Sequence, residues 1–181
     1  NTASLMRLIG FAHNDRLPPY APPKTTISLD GNAGKNGWYT SDVTVTLTAT
    51  DPGGSGIADI TYRLDDGEQV ITPSSTVKFK IEVEGRHILT YYATNDIGSR
   101  EKETSREINI DKTPPTITMT APLGKANYYI NQLVTASYSC SDALSDVAGY
   151  GGTVPSGSYI DTGTVGSKIF TITATDSAGN E

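Results

Sequence analysis

From Val43 to Thr50 the chain reads VTVTLTAT, and every second residue is apolar. A period of two puts Val43, Val45, Leu47 and Ala49 on one face of a strand and Thr44, Thr46, Thr48 and Thr50 on the other. Branching at Cβ stiffens Val and Thr and suits them to a pleated surface better than to a helix. The pattern predicts a strand with one face on a core and one in water, the usual state of an antiparallel sheet. Asp51-Pro52-Gly53-Gly54 ends it, because proline donates no ladder hydrogen bond and glycine takes turn dihedrals.

The same pattern returns roughly ninety residues later, as an internal repeat does. Val134, Ala136, Tyr138 and Cys140 stand where Val43, Val45, Leu47 and Ala49 stood, and Asp142 matches Asp51. Tyr128-Tyr129 replaces Trp38-Tyr39, and Pro114-Pro115 replaces Pro22-Pro23. Lys168, Phe170, Ile172 and Ala174 repeat His87, Leu89, Tyr91 and Ala93. TATDSAGN (173–180) echoes YATNDIGS (92–99), so Asp176 stands at the place of Asn95. The second copy is shorter in its middle and reaches Glu181 where its last strand is expected to begin.

Within the first copy, Thr25–Leu29, Val43–Thr50, the Ile60/Tyr62/Leu64 stretch, the Val77/Phe79/Ile81 stretch, His87–Ala93 and Glu107–Ile110 read as strands parted by turn signals. About seven short strands in about ninety residues predict a β-sandwich. Before them, Leu5, Leu8, Ile9 and Ala12 recur at helical spacing, which predicts a short helix or the tail of an upstream domain. The prolines at 18, 19, 22 and 23 form a stiff spacer. The expected organisation is 1–21 as an N-terminal segment, 22–111 as the first sandwich and 112–181 as the second, lacking its last strand.

Net charge is −6 over 181 residues, which argues against a nucleic-acid partner, since such binders carry basic clusters. No apolar run approaches the ~20 residues that cross a bilayer, so no membrane insertion is expected. Cys140 is the only cysteine and forms no internal disulfide, so the fold rests on its core. The residues from Asn1 do not read as a signal peptide, and the expectation is that the sequence is a piece of something larger.

GWYTSDVTVTLTATDPGGSGI, EGRHILTYYATNDIG, INIDKTPPTITMTAP and FTITATDSAGN together resemble tandem bacterial immunoglobulin-like or fibronectin-III-like repeats. The resemblance runs from Pro22 to Glu181. It implies an all-β chain of two immunoglobulin-like antiparallel β-sandwiches in series. Such repeats are strung along secreted glycoside hydrolases, adhesins and cell-surface proteins, as spacers and binding platforms. The chain departs from their pattern at Asn95, where Asp is frequent, and at Lys168, an inward position more often apolar or His.

Catalytic chemistry finds no foothold. His13 and His87 are the only histidines, and His87 falls on an inward strand face as a structural imidazole. Zinc and copper lack a ligand set, and no glycine-rich phosphate loop opens a helix. Cys140, on an apolar face, reads as an inert core thiol. Two binding chemistries are worth weighing. Calcium takes oxygen ligands, and sandwich topology brings Asp142 and Asp146 near Asp176, with Asp111 delivered to the same end. The alternative, that these aspartates only cap turns, is the expectation adopted, so no metal or cofactor site is assigned. Trp38, Tyr39, Tyr128, Tyr129, Tyr150 and Tyr159 offer platforms for sugar rings, but the repeated place of Trp38 and Tyr128 favours plugs for the sandwich ends. The expected role is that of a non-catalytic extracellular spacer, stalk or attachment platform whose partners are flanking domains of the same polypeptide. A carbohydrate- or host-protein-binding adhesion module of an adhesin or polysaccharide-degrading enzyme is the alternative, with a cell-surface glycan or protein as its partner.

Overall fold

The computed structural model describes residues 21–181, and the short helix expected at 5–12 lies outside them. Every regular element among the described residues is a strand. In chain order these are β1 (Lys24–Asp30), β2 (Trp38–Tyr39), β3 (Val43–Thr50), β4 (Ile57–Leu64), β5 (Val70–Thr72) and β6 (Thr76–Ile81). There follow β7 (Gly85–Asn95), β8 (Thr104–Ile110), β9 (Thr116–Ala121), β10 (Ser137–Ser141), β11 (Val147–Gly152) and β12 (Ile172–Asp176).

The first eight form an immunoglobulin-like sandwich of two sheets, ordered β1-β3-β6 and β2-β8-β7-β4-β5. One apolar cluster joins them. Val43, Val45, Leu47 and Ala49 from β3 pack with Val77 and Ile81 of β6 against Ile60 of β4, Leu89, Tyr91 and Ala93 of β7, and Ile108 and Ile110 of β8. Across the layers the rings of Tyr62 and Phe79 stack at 4.5 Å, within 6° of parallel. Leu47 and Leu89 are fully buried, and each stabilises the fold by about 1.5–3 kcal/mol through the area removed from water. The threonines of β3 depart from expectation. Thr44, Thr46 and Thr48 are half-buried rather than exposed, because β3 is the middle strand with β1 and β6 on its flanks. Among the described residues one pairing is parallel, that of the two-residue β2 with β8.

The remaining strands form two antiparallel pairs, β9 with β10 and β11 with β12. Among the described residues, no strand of this half joins a sheet of the first. Its interior is small and centres on Tyr138, whose ring meets Tyr150 at 6.1 Å and Phe170 at 6.0 Å, both edge-on. The Tyr138 hydroxyl donates to the Val154 carbonyl at 2.9 Å. The strand expected to start at Lys168 starts only at Ile172. Lys168 is exposed and pairs with Asp161, since an ammonium stays in water rather than occupying the inward place that His87 fills in the first half. Much apolar surface stays open here. Leu133, Val165 and Ile169 are exposed, and β9 has no buried residue.

Leu47→Ala is expected to destabilise the protein by about 2–5 kcal/mol, because the β3 face is closed on both sides and cannot collapse freely. Urea unfolding measures it, and a loss below about 1 kcal/mol would show that this face is not the core.

Candidate functional site

Three strands end at one place, and each delivers an aspartate there. Asp111 directly follows β8, Asp142 directly follows β10, and Asp176 is the last residue of β12. One carboxylate oxygen from each lies within 4.8 Å of the others. Asp111 and Asp176 are fully buried, and Asp142 is half-buried.

Backbone pairing sets Asp111. Its N–H donates to the Tyr39 carbonyl at 2.9 Å, which carries the parallel β2–β8 pairing one residue beyond the strand. Its carbonyl accepts from the Asn180 side-chain amide at 3.0 Å, and Oδ1 accepts from Thr113 N–H at 3.1 Å. Oδ2 is buried and has no hydrogen-bond partner. Asp142 Oδ1 caps its own turn, accepting from Leu144 N–H at 3.0 Å and Ser145 N–H at 2.8 Å. Asp176 Oδ1 accepts from Gly179 N–H at 2.6 Å and Asn180 N–H at 2.8 Å, and Oδ2 from the Asn180 amide at 2.7 Å. The turn-forming role expected of Asp142 and Asp176 is therefore present. It coexists with the convergence. Asp146 lies outside the cluster, exposed with φ of 65°, and only its carbonyl takes part, accepting from Ser177 N–H.

Among the described residues, no ion pair includes the three carboxylates. Lys112, the nearest in sequence, turns away, and its Nζ donates to Asp42 Oδ1 at 2.7 Å and the Glu82 carbonyl at 2.8 Å. Its N–H donates to Glu84 Oε1 at 2.6 Å. Glu84 also accepts from the Thr113 hydroxyl, so two linker residues are tied to the first sandwich. Beside the cluster lies a cleft of about 240 Å³, lined by Glu84, Asp111, Thr113, Asp142 and Leu144 among others.

A second set of contacts closes the junction, and it was not legible in the sequence. The loop between β1 and β2 lies against the last turn of the chain. Lys35 N–H donates to the Ala178 carbonyl at 2.7 Å, and the Asn36 amide to the Ser177 carbonyl at 2.9 Å. Asn36 and Gly37 have φ of 53° and 80°, and this left-handed pair is the one local signal of the turn that makes the approach possible. At Gly34 the surfaces are so close that a Cβ would fall on the Ala178 carbonyl oxygen.

The other residues singled out in the sequence fall elsewhere. His87 is buried, with Nδ1 at 2.8 Å from Asp65 Oδ2 and Nε2 at 2.9 Å from the Val83 carbonyl, a structural tie between neighbouring strands. Burial pushes the Cys140 thiol up, away from the reactive thiolate. Trp38 is buried with the Arg86 guanidinium 4.9 Å from its ring, as a plug should be. Tyr39 and Tyr128 are half-buried, whereas Tyr129, Tyr150 and Tyr159 are exposed.

A scan against protein-family models matches none, and a search of curated proteins returns no relative. Among solved structures, the chain is similar to fibronectin(III)-like modules of CbhA from Clostridium thermocellum. The identity is 17%, the match covers 86% of this chain and 88% of that one, and the TM-score is 0.37.

Two expected outcomes follow from the junction. Asp42 is held at about 2, first by the hydrogen bond from Lys112 and then by that from Lys80, so its contribution is present above the ordinary value of 3.8 and is lost as pH falls toward 2. Asp42→Asn should flatten the loss of stability in that window, as read from urea midpoints across a pH series. Gly34→Ala should lower the melting temperature by forcing the Ala178 turn away. Melting that coincides with the parent protein would show that the contact yields without cost.

Proposed function

We propose that this chain is a non-catalytic module that holds neighbouring domains of one polypeptide at a fixed spacing and orientation outside the cell. In this reading residues 22–111 and 112–181 are two folding units. The observation that carries it is the fastened junction. Lys112 and Thr113 are bound to Glu84, Asp111 is bound to Tyr39 and Asn180, and the 30–37 loop is bound to the 177–178 turn. A linker meant to flex has few such contacts, and Pro114-Pro115 further narrows its torsions. His87 is committed to structural bonds with Asp65 and the Val83 carbonyl, which fits a non-catalytic role. Extracellular placement at a bacterial surface rests on the resemblance of the repeat strings.

A second reading has its own support in the second half. Tyr129, Tyr150 and Tyr159 are exposed, as are Ile117, Met119 and Leu133, and exposed aromatic and aliphatic side chains are the raw material of a surface that binds glycan or protein.

Small-angle scattering tests the spacer reading. Two sandwiches in series should give an elongated particle whose maximum dimension is insensitive to salt. A compact, folded-over pair, or a broad ensemble of dimensions, would remove it.

A further inference from the structure

We propose that Asp111, Asp142 and Asp176 bind a calcium ion that locks the junction between the two halves. The proposal deepens the spacer reading, but it stands on the geometry of the three carboxylates and fails separately from it.

The first support is the buried, unpartnered Asp111 Oδ2. A carboxylate oxygen taken from water without a donor costs stability, and a fold keeps one where something else satisfies it. Thr113 N–H binds only Oδ1, so the second oxygen of a carboxylate that belongs to the cluster is left free. The second support is spacing. Calcium sits 2.3–2.6 Å from its oxygens, roughly, and can therefore touch ligands that lie within about 5 Å of one another. The three oxygens meet that condition, at 4.8 Å or less. The third is charge. Among the described residues, the three carboxylates gather with no side-chain ion pair, and the adjacent Lys112 ammonium is engaged by Asp42. A divalent ion turns their repulsion into attraction.

The first half supplies an internal comparison. Asn95 holds the place of Asp176 and builds the same turn, with Asn95 N–H donating to the Ser99 carbonyl at 3.0 Å and Oδ1 accepting from Ser99 N–H at 2.7 Å. In the second half Asp176 N–H donates to the Asn180 carbonyl at 3.1 Å and Oδ1 accepts from Asn180 N–H at 2.8 Å. The turn therefore forms with a neutral amide, and the carboxylate at 176 is not needed for it. In the first half the Asn95 amide donates to the Ala21 carbonyl, whereas Asp176 Oδ2 has no proton to donate and accepts from the Asn180 amide. Asp51, the counterpart of Asp142, spends its oxygens on Gly53, Ser55 and Gly56. The site is thus specific to the junction.

Oxygen-only ligands exclude a preference for zinc, which favours nitrogen and sulfur. Between the hard cations, calcium accepts an irregular shell of six to eight oxygens, roughly, and tolerates carboxylates already fixed by turn hydrogen bonds. Magnesium demands near-octahedral geometry. The adjoining cleft has room for the waters that complete the shell.

The test uses the full 181-residue chain, stripped with chelator. Isothermal titration with calcium chloride should show one ion per chain. Millimolar calcium should raise the melting temperature by at least about 4 °C over chelator, the effect of a ligand well above its dissociation constant on a domain of this size. Asp176→Asn should keep its turn, as Asn95 does, and weaken calcium binding at least about a hundred-fold. Asp51→Asn, in the first half, should leave binding unchanged. Three results would overturn the proposal. These are no heat and coincident melting curves for the parent chain, undiminished binding in Asp176→Asn, and a magnesium response equal to that of calcium. Because the titration of the parent chain is decisive by itself, misfolding of a variant does not protect the idea.

Discussion

The face of β3 that carries Val43, Val45, Leu47 and Ala49 must leave water, and it does so in one cluster with Ile60 of β4, Leu89, Tyr91 and Ala93 of β7 and Ile108 and Ile110 of β8. That contact joins the two sheets of the first sandwich, and the rest hangs from it. β1 and β6 flank β3, while β4 and β8 flank β7 and carry β5 and β2 at the sheet edges, so the remaining strands are placed by hydrogen bonding outward from β3 and β7. The trajectory of β8 then follows, and with it the point where the chain leaves at Asp111. A core interaction in one half thus determines where the linker begins.

The second half is built more lightly. Among the described residues its buried apolar side chains are mostly small, Ala136, Ala174 and Ala178, with Tyr138 as the one large member. A small interior supplies little burial energy, because stabilisation scales with the apolar area removed from water. Its position relative to the first half therefore owes more to polar contacts at the junction than to shared apolar surface. The Asn180 amide illustrates this, since it donates both to Asp176 Oδ2 and to the Asp111 carbonyl. One side chain ties the last turn of the chain to the end of β8.

The acidic cluster depends on both halves. Asp142 and Asp176 are held by the second half's own turns, whereas Asp111 is held by pairing to Tyr39 in the first. Displacing either half would separate Asp111 from the other two. Any ligand of the three would consequently report on, and favour, one relative arrangement of the halves. Binding to the folded arrangement alone is what lets a ligand stabilise it.

Much of the fold was legible in the sequence, because alternation at period two is a local pattern with one structural solution. The inward set of β3 and β7, the buried Trp38 and the structural His87 could all be read from it. The half-burial of Thr44, Thr46 and Thr48 could not, since it depends on β3 lying between two neighbours. Nor could the late start of β12, where the demand of Lys168 for water outweighed the repeat. Topology alone placed Asp111, Asp142 and Asp176 at one end, and there the sequence stopped. Whether oxygens meet within 4.8 Å, and whether one is buried without a donor, depends on side chains from β8, β10 and β12 converging in space. Periodicity along the chain determines which residues face inward, because that is a property of neighbours. Only the tertiary structure decides which charges share a site, because that distance is set by three strands far apart in sequence.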